Sequence, residues 1–328
     1  MNPFLLNTLL FLAGFVFLTG GAEFLVRGAS RFAVRLNVPL VVIGLTIVAF
    51  GTSLPELLVS MIANLEGGAT ADISIGNVVG SNIANLALIL GLVAVLRPVS
   101  VERKLLFREY PLMLAVSLVF WAMAWDGEIN RLEGVLLFLG LIGFTLYSYT
   151  SSRTLPADEQ AEAMEFVEDV LEASESVTLS AIFRDLGFVL IGIIGLLMGA
   201  NWLVDSATFM ARHFGISELV IGLTVVALGT SLPELATSVV AILRKEGDIA
   251  LGNLVGSNLF NILAIVGITA MVKPLPAQLA MRTFDFPVML LISLLPLLLV
   301  LRRPHEMNRW NGAVMLSLYL AYNLWILL

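Results

Sequence analysis

The sequence of 328 residues is 59% hydrophobic and only 13% charged. A water-soluble domain has roughly twice that charged fraction, so this composition excludes an ordinary soluble enzyme or binding domain. The net charge of −7 belongs to one segment, because eight of the 25 acidic residues lie between Asp158 and Glu175. The sequence has no cysteine, which excludes disulfides and thiolate metal sites.

Apolar runs of about 17–25 residues, long enough to cross a bilayer, recur along the chain. They predict an all-α membrane protein with ten transmembrane helices. The first run lacks the positive lead and the cleavage pattern of a signal peptide, so we expect it to be retained. The ten predicted spans lie near 4–26, 38–63, 72–96, 107–125, 132–150, 183–205, 216–243, 248–272, 284–301 and 310–328.

The distribution of Lys and Arg predicts the orientation of these spans. With ten spans, fourteen basic residues fall on one side of the membrane and four on the other. The positive-inside rule assigns the fourteen to the cytoplasm. Both termini are then expected outside the cytoplasm, and the acidic segment 151–182 is expected to be a cytoplasmic loop. That loop lacks the glycine-centred carboxylate pattern of an EF-hand, so we interpret it as an amphipathic helix or linker.

A fifteen-residue motif occurs in the second span and again in the seventh. IGLTIVAFGTSLPEL runs from Ile43 to Leu57, and IGLTVVALGTSLPEL runs from Ile221 to Leu235, with two differences. A second motif follows each copy, GNVVGSN from Gly76 and GNLVGSN from Gly252. The repeated regions therefore extend over about 43–91 and 221–267.

The repeat divides the chain into two halves, 1–150 and 183–328, with five predicted spans each. Five is an odd number, so the second half enters the membrane from the opposite side. The prediction is two inverted-topology repeats of five helices. Secondary transporters often have this architecture, with the binding site near the midplane where broken helices meet.

Each first motif combines a helix break with a carboxylate inside the membrane. Pro55 lacks an N–H and its ring clashes with the carbonyl of Gly51, so the helix should kink there. Non-helical backbone survives at membrane depth only where it lines a cavity or is buried in protein. Ionisable residues such as Glu56 and Glu234 are costly in a membrane and indicate an ion pathway. One such glutamate could be a protonated or paired structural residue, but two at equivalent positions argue against that reading.

Further oxygen atoms surround each glutamate in the expected helices. Thr52 and Ser53 lie within one turn of Glu56, and the carbonyl of Ala49 lies one turn before Ser53. In the third span, Asn77, Ser81 and Asn85 are four residues apart on one face, although Asn and Ser are also common in helix–helix contacts. We interpret Asn82 and Asn258, on another face, as packing or capping groups. The second half repeats the pattern with Ala227, Thr230, Ser231, Glu234, Asn253, Ser257 and Asn261.

Oxygen-only ligands favour hard cations such as Ca²⁺, Mg²⁺ or Na⁺ over Zn²⁺ or Cu⁺. Irregular backbone rich in carbonyl oxygens suits flexible Ca²⁺ or Na⁺ coordination better than Mg²⁺. Two glutamates would be neutralised by one Ca²⁺ or by two Na⁺. Competition between these two occupancies would produce exchange, so the residues favour a cation antiporter.

At these residues the chain resembles the sodium/calcium exchanger family, of prokaryotic type, within the wider cation/Ca²⁺ antiporter group. The specific marks are GTSLPE at Gly51–Glu56 and Gly229–Glu234, and GSN followed by Asn at Gly80–Asn85 and Gly256–Asn261. The resemblance implies ten helices, with ion sites formed by the second, third, seventh and eighth. The implied ligands are Ala49, Thr52, Ser53, Glu56, Ser81, Asn85, Ala227, Thr230, Ser231, Glu234, Ser257 and Asn261.

The family resemblance also implies a mechanism. Several Na⁺ ions would move against one Ca²⁺ as the first and sixth helices slide over a fixed core, in the inner membrane of a prokaryote. Many relatives carry Asp where this chain has Asn261, so this chain lacks one titratable group there. The difference bears on K⁺ co-transport and on the pattern of sodium sites.

Three other functions remain open from the residues. A proton-coupled cation antiporter would use Glu56 or Glu234 as the titrating carrier, since burial can bring a carboxylate into range near neutral pH. A cation channel would conduct without counter-ion demand. An intramembrane hydrolase fits less well, because GTSLP lacks the final Gly of a serine elbow and no His accompanies it within the bilayer. We therefore expect no enzymatic activity, no cofactor and no nucleic-acid partner, with the lipid bilayer, Ca²⁺ and Na⁺ as the partners.

Overall fold

The computed structural model describes residues 3–35, 38, 40–66, 71–152, 179–215, 227–301 and 305–327. Most of these residues are helical. Most of the acidic loop lies outside the described residues, as does the segment 216–226. In chain order the principal helices are α1 (Pro3–Arg35), α2 (Gly44–Thr52), α3 (Leu54–Glu66), α4 (Ile73–Leu96), α5 (Leu105–Asp126), α6 (Arg131–Ser152), α7 (Leu179–His213), α8 (Leu232–Leu243), α9 (Gly247–Val272), α10 (Met281–Val300) and α11 (Arg309–Leu327).

The described helices have the length and composition of membrane-spanning segments. Seven are long and apolar enough to cross a bilayer, and the bent pair α2–α3 makes eight if it forms one span. α8 is a shorter apolar helix, and α11 occupies the place of the tenth predicted span. α1 and α7, with 33 and 35 residues, are longer than predicted because both continue beyond their apolar runs into charged ends.

The predicted helix break occurs between α2 and α3. The two helices meet at an angle of 50°. Ser53 lies at the corner with φ −84° and ψ 7°, two residues before Pro55. Ser231 has nearly the same backbone angles, φ −86° and ψ 4°, before Pro233 at the start of α8. The repeated sequence therefore forms the same corner twice.

Several helices contain π-helical turns, in which each backbone N–H bonds to the carbonyl five residues earlier instead of four. One turn covers Ala84–Ile89 in α4, and another covers Asn261–Val266 in α9. A third, Gly44–Val48, precedes the corner at Ser53. Such turns are rare and occur frequently at functional sites. Here they lie beside the asparagines and hydroxyls singled out in the sequence.

α1 and α7 pack along a line of glycines. A Cβ atom at Gly21 would lie 2.5 Å from the backbone N of Leu196, and one at Gly199 would lie 2.4 Å from that of Leu18. Gly28 meets the backbone of Val189 in the same way. Because lipid provides no hydrophobic force between helices, close backbone approach at small residues is a main source of helix association. The two long helices therefore form one closely packed pair.

Equivalent contacts join the two halves at opposite ends of the molecule. The strand β1 (Val99–Ser100) pairs with β4 (Glu306–Met307), and β2 (Glu128–Ile129) pairs with β3 (Leu275–Pro276), both antiparallel. These two-residue strands were not predicted from the sequence. Gly134 approaches the carbonyl of Gly267, and Gly312 approaches that of Gly91, so α6 packs on α9 as α11 packs on α4.

α4 and α9 form the centre of the molecule. About four-fifths of the residues in their apolar windows are buried, 78% in α4 and 83% in α9. α6 lies at the periphery with 22% buried, and its exposed side chains are mostly leucines and other apolar residues. The central pair also carries the polar residues Asn82, Asn85 and Asn258, all fully buried.

Candidate cation site

Glu56 lies in the first turn of α3, just after the corner, and its side chain is fully buried. The Ser81 hydroxyl of α4 lies 3.5 Å from Glu56 Oε1. Asn77, one turn earlier in α4, donates from Nδ2 to the Glu56 carbonyl at 3.2 Å and to Ser60 Oγ at 3.0 Å. α3 and α4 are thus held together around the carboxylate.

Glu234 has the equivalent position in the first turn of α8 and is 1% exposed. The Ser53 hydroxyl of the other motif copy donates to Glu234 Oε1 at 3.1 Å. The hydroxyls of Thr52 and Ser257 also interact with this carboxylate. Ser231 contacts Ser81 across the halves, with 3.5 Å between the two hydroxyl oxygens. The two copies of GTSLPE therefore meet at one site.

The two buried carboxylates have no neutralising partner among the described residues. Glu56 and Glu234 are close enough to repel each other electrostatically. The second oxygen of each, Oε2, has no hydrogen-bond donor in the described part of the chain. None of the ion pairs formed by described residues includes either glutamate. Burial of two unpaired like charges is strongly unfavourable, so this arrangement requires bound cations or protons.

A second group of oxygens lies beside the carboxylates, around Thr52. Its hydroxyl lies 3.2 Å from Asn253 Oδ1 and 3.4 Å from Ser257 Oγ. Asn253 also donates to Ser238 at 3.2 Å, as Asn77 donates to Ser60 in the first half. Thr52, Asn253 and Ser257 are fully buried. The helices α2 and α9 therefore add hydroxyl and amide oxygens from both halves.

Four asparagines connect α4 and α9 in a reciprocal network. Asn85 Nδ2 donates to Asn258 Oδ1, and Asn261 Nδ2 donates to Asn82 Oδ1, each at 2.9 Å. Asn258 Nδ2 in turn donates to the Asn82 carbonyl at 3.3 Å, and Asn82 Nδ2 to the Asn258 carbonyl at 3.4 Å. The Oδ1 atoms of Asn85 and Asn261 are buried and have no donor among the described residues.

The remaining predicted ligands differ in how they are placed. The carbonyl of Ala49 accepts from Ser53 N at 3.0 Å and from the Thr52 hydroxyl at 3.3 Å, so it is engaged within its own helix. The Thr230 hydroxyl is buried and has no partner within the described ranges. Ala227 begins the one-turn helix Ala227–Gly229, and its side chain is not described.

The described site therefore contains only oxygen and amide groups. No cluster of three or more His, Cys, Asp or Glu side chains occurs among the described residues. Two carboxylates, several hydroxyls and two free amide oxygens match the ligand preference of hard cations.

Charged contacts outside the site connect α1 to the end of α8. Glu23 pairs with Arg27, one helical turn later, at 2.6 Å and also binds Arg244. The Ser30 hydroxyl donates to the buried Glu246 carboxylate. Burial raises the pKa of Glu246 above its ordinary value, while the Ser30 hydrogen bond and Arg244 act in the opposite direction. These contacts between distant residues were not predicted from the sequence.

Comparisons with known proteins agree with the geometry. The family described as sodium/calcium exchanger protein matches residues 6–150 and 185–328. The inner membrane protein YrbG of Escherichia coli (strain K12) is 37% identical, over 97% of this chain and 96% of that protein. The sodium/calcium exchanger MaX1 of Methanosarcina acetivorans is 34% identical, over 96% and 97% of the two chains.

A solved structure of the sodium–calcium exchanger NCX_Mj superposes with a TM-score of 0.81 at 32% identity, covering 97% of both chains. The similarity therefore includes both halves and the region of the two repeated motifs. The chain is a membrane protein that belongs to the sodium/calcium exchanger family.

Proposed function

We propose that this chain is a secondary antiporter that exchanges Na⁺ for Ca²⁺ across the membrane by alternating access. One observation carries the proposal. Glu56 and Glu234 come from two corners of identical sequence, are buried together, and have no basic partner among the described residues. One Ca²⁺ or two Na⁺ would neutralise the pair, and the site cannot hold both sets of charge at once.

The proposed ligands are the twelve residues predicted from the resemblance. The Ser53–Glu234 and Ser81–Glu56 contacts support four of them, because they bring oxygens of both motif pairs together. The chain would move ions without covalent chemistry and would need no resident cofactor. The twelve residues are Ala49, Thr52, Ser53, Glu56, Ser81, Asn85, Ala227, Thr230, Ser231, Glu234, Ser257 and Asn261.

We further propose ten spans in two inverted repeats of five, with both termini outside the cytoplasm. The matched strand pairs and the matched glycine contacts of α6 and α11 support a two-fold relation between the halves. Since the chain has no cysteine, single introduced cysteines would be the only thiols. Asp126→Cys should react with an impermeant thiol reagent from outside the cell, and Arg97→Cys only from the cytoplasmic side. Equal labelling of both from one side would contradict the topology.

The glycine-lined pair α1–α7 supports motion of these two helices as one body over the core. In that view they alternately cover the site from each side. The charged contacts of Glu23 and Ser30 with residues 244 and 246 would then hold one position of the pair.

The decisive experiment is a flux measurement with the purified chain in lipid vesicles. Vesicles loaded with Na⁺ should take up ⁴⁵Ca²⁺ when diluted into Na⁺-free medium. Uptake that does not depend on the Na⁺ gradient would reject Na⁺ coupling.

A proton-coupled cation antiporter is the second candidate. The close approach of two buried carboxylates favours it, because such a pair can share one proton. Ca²⁺ flux driven by a pH gradient in the absence of Na⁺ would identify this mode. A cation channel would instead give single-channel currents without any counter-ion.

A further inference from the structure

We propose that Asn82 and Asn258 are positioning residues that point the amide oxygens of Asn85 and Asn261 toward the transported cation. The inference rests on the proposed function, because it takes these two asparagines as cation ligands. Asn82 and Asn258 are not among the twelve proposed ligands. They are nevertheless only 1% exposed and bridge the two central helices.

The orientation of these amides is set first by a backbone carbonyl, which can only accept a hydrogen bond. The carbonyl of Asn82 receives Asn258 Nδ2 at 3.3 Å, and this fixes which end of the Asn258 amide faces α4. Asn258 must then present Oδ1 to its other neighbour, Asn85. A reversed Asn258 amide would place its oxygen against the carbonyl oxygen, which is repulsive.

The fixed orientation of Asn258 determines that of Asn85. Because Asn258 offers an acceptor, Asn85 must donate from Nδ2, as it does at 2.9 Å. Its own Oδ1 is thereby left buried without a donor among the described residues. Asn85 follows Ser81, which contacts Glu56, by four residues in α4. A cation needs an oxygen at this place, and an amide turned the other way would present N–H groups.

The equivalent contacts, with the two helices exchanged, orient Asn261. The carbonyl of Asn258 receives Asn82 Nδ2 at 3.4 Å, and Asn82 Oδ1 receives Asn261 Nδ2 at 2.9 Å. Asn261 Oδ1 is left free among the described residues, like that of Asn85. Each ligand amide is thus oriented by a side chain from the opposite half, and each orienting side chain is fixed by a backbone group.

The arrangement is crossed, because Asn258 orients only Asn85 and Asn82 orients only Asn261, and this leads to a specific prediction. Asn258→Leu removes the acceptor for Asn85 but keeps the backbone carbonyl that fixes Asn82, so Asn261 stays oriented. Asn82→Leu has the converse effect. Loss of such an outer partner typically weakens metal binding by about 10–100-fold. We expect a loss of this size in Ca²⁺ affinity for each single variant.

The test is equilibrium ⁴⁵Ca²⁺ binding to the purified full-length chain in Na⁺-free buffer, combined with double-mutant cycles. In an Asn85→Ala background, Asn258→Leu should weaken binding by no more than about twofold, because nothing remains to be oriented. In an Asn261→Ala background, its full effect should remain. Asn82→Leu should show the reverse pattern. Independent, multiplicative losses in all four combinations would overturn the proposal.

Asn64→Leu is the matched control. Asn64 is also a buried asparagine whose amide joins the halves, at 2.7 Å to the Lys273 carbonyl, but it lies at the other end of α3. This change should leave Ca²⁺ affinity within about twofold of the wild type, whatever it does to stability. If either Leu variant does not fold, Asn258→Ser and Asn82→Ser remove the same amides with less added bulk.

The outcomes separate this inference from the proposed function. Ca²⁺ binding with the crossed pattern, but without Na⁺-driven flux, would support the positioning role and reject the exchange mode. Na⁺-driven exchange with independent losses would do the opposite. Absence of any Ca²⁺ binding by the wild-type chain would overturn both.

Discussion

The two copies of the GTSLPE motif have the same sequence but different surroundings. Glu234 accepts a hydrogen bond from Ser53 of the other copy at 3.1 Å, with Thr52 and Ser257 nearby. Among the described residues, the side-chain donor to the Glu56 carboxylate is the Ser81 hydroxyl, at the longer distance of 3.5 Å. Ser231 does not reciprocate, because it faces Ser81.

This difference shows that a repeated sequence specifies the corner and the carboxylate but not the neighbours that stabilise its charge. Glu234 therefore has more hydrogen-bond donors beside its carboxylate than Glu56 does, whereas the electrostatic repulsion between the two buried groups acts on both. In an alternating mechanism the two copies would exchange these environments as the covering helices move. Four sets of substitutions test how far the two halves are equivalent.

The largest effect is expected from neutralising either glutamate. Glu56→Gln and Glu234→Gln should each reduce Na⁺-driven ⁴⁵Ca²⁺ uptake by about 30-fold or more, because a buried charge contact is worth roughly 2–5 kcal/mol. Glu109→Gln is the control, since Glu109 is a buried acid of α5 away from the site. Uptake retained by one of the two variants would remove that copy from the mechanism.

The serines at the two corners should differ in their effect on stability. Ser53→Ala removes a donor to Glu234, whereas Ser231→Ala removes only a contact with another hydroxyl. A hydrogen bond to a charged group contributes about 1.5–3 kcal/mol, so Ser53→Ala should lower the unfolding temperature in ion-free buffer more than Ser231→Ala. Equal shifts, measured by intrinsic fluorescence during heating, would show that both serines have equivalent surroundings in solution.

The helices α1 and α7 should behave as equivalents, in contrast to the two glutamates. Gly21→Ala and Gly199→Ala each place a Cβ within 2.5 Å of the partner backbone. Overpacking of this kind costs about 1–3 kcal/mol, and both variants should lose thermal stability and exchange rate to a similar degree. Gly20→Ala is the control, because a Cβ there meets nothing within 4 Å. A loss confined to one helix would contradict the shared packing line.

The smallest effect is expected at Glu246, between α8 and α9. The corresponding segment of the first half, 67–70, lies outside the described residues. Burial raises the pKa of Glu246, so its folded form binds a proton more readily than the unfolded chain does. The stability it contributes is present below the ordinary value of 4.5 and declines as pH rises through the raised pKa. Glu246→Gln should therefore gain thermal stability relative to wild type between pH 4 and pH 7, by about 1 kcal/mol or less. A constant difference between the two proteins across this range would contradict the assignment.

The local features of the site could be predicted from the sequence. Pro55 and Gly51 dictate a break, and the 50° bend confirms it. The repetition of Glu56 as Glu234 indicated two related carboxylates. Such features depend on residues within one or two helical turns, where periodicity and proline chemistry are informative.

Contacts between the halves could not be predicted in the same way. Asn82 and Asn258 lie off the face that carries Ser81, so helical periodicity assigned them to packing. Their role depends on how α4 crosses α9, which a single sequence does not encode at any fixed spacing. One signal was present, since both asparagines follow a repeated Gly-Ser at equivalent positions. The two-residue strands were missed because they are too short to show alternation.

The paired strands also have a consequence for biogenesis. Each half contributes two short extended segments, and every one of them finds its partner in the other half. The first half made alone would leave β1 and β2 without partners, together with amides of Asn82 and Asn85 that lack their acceptors. These contacts of the first half can therefore form only after the second half has been made.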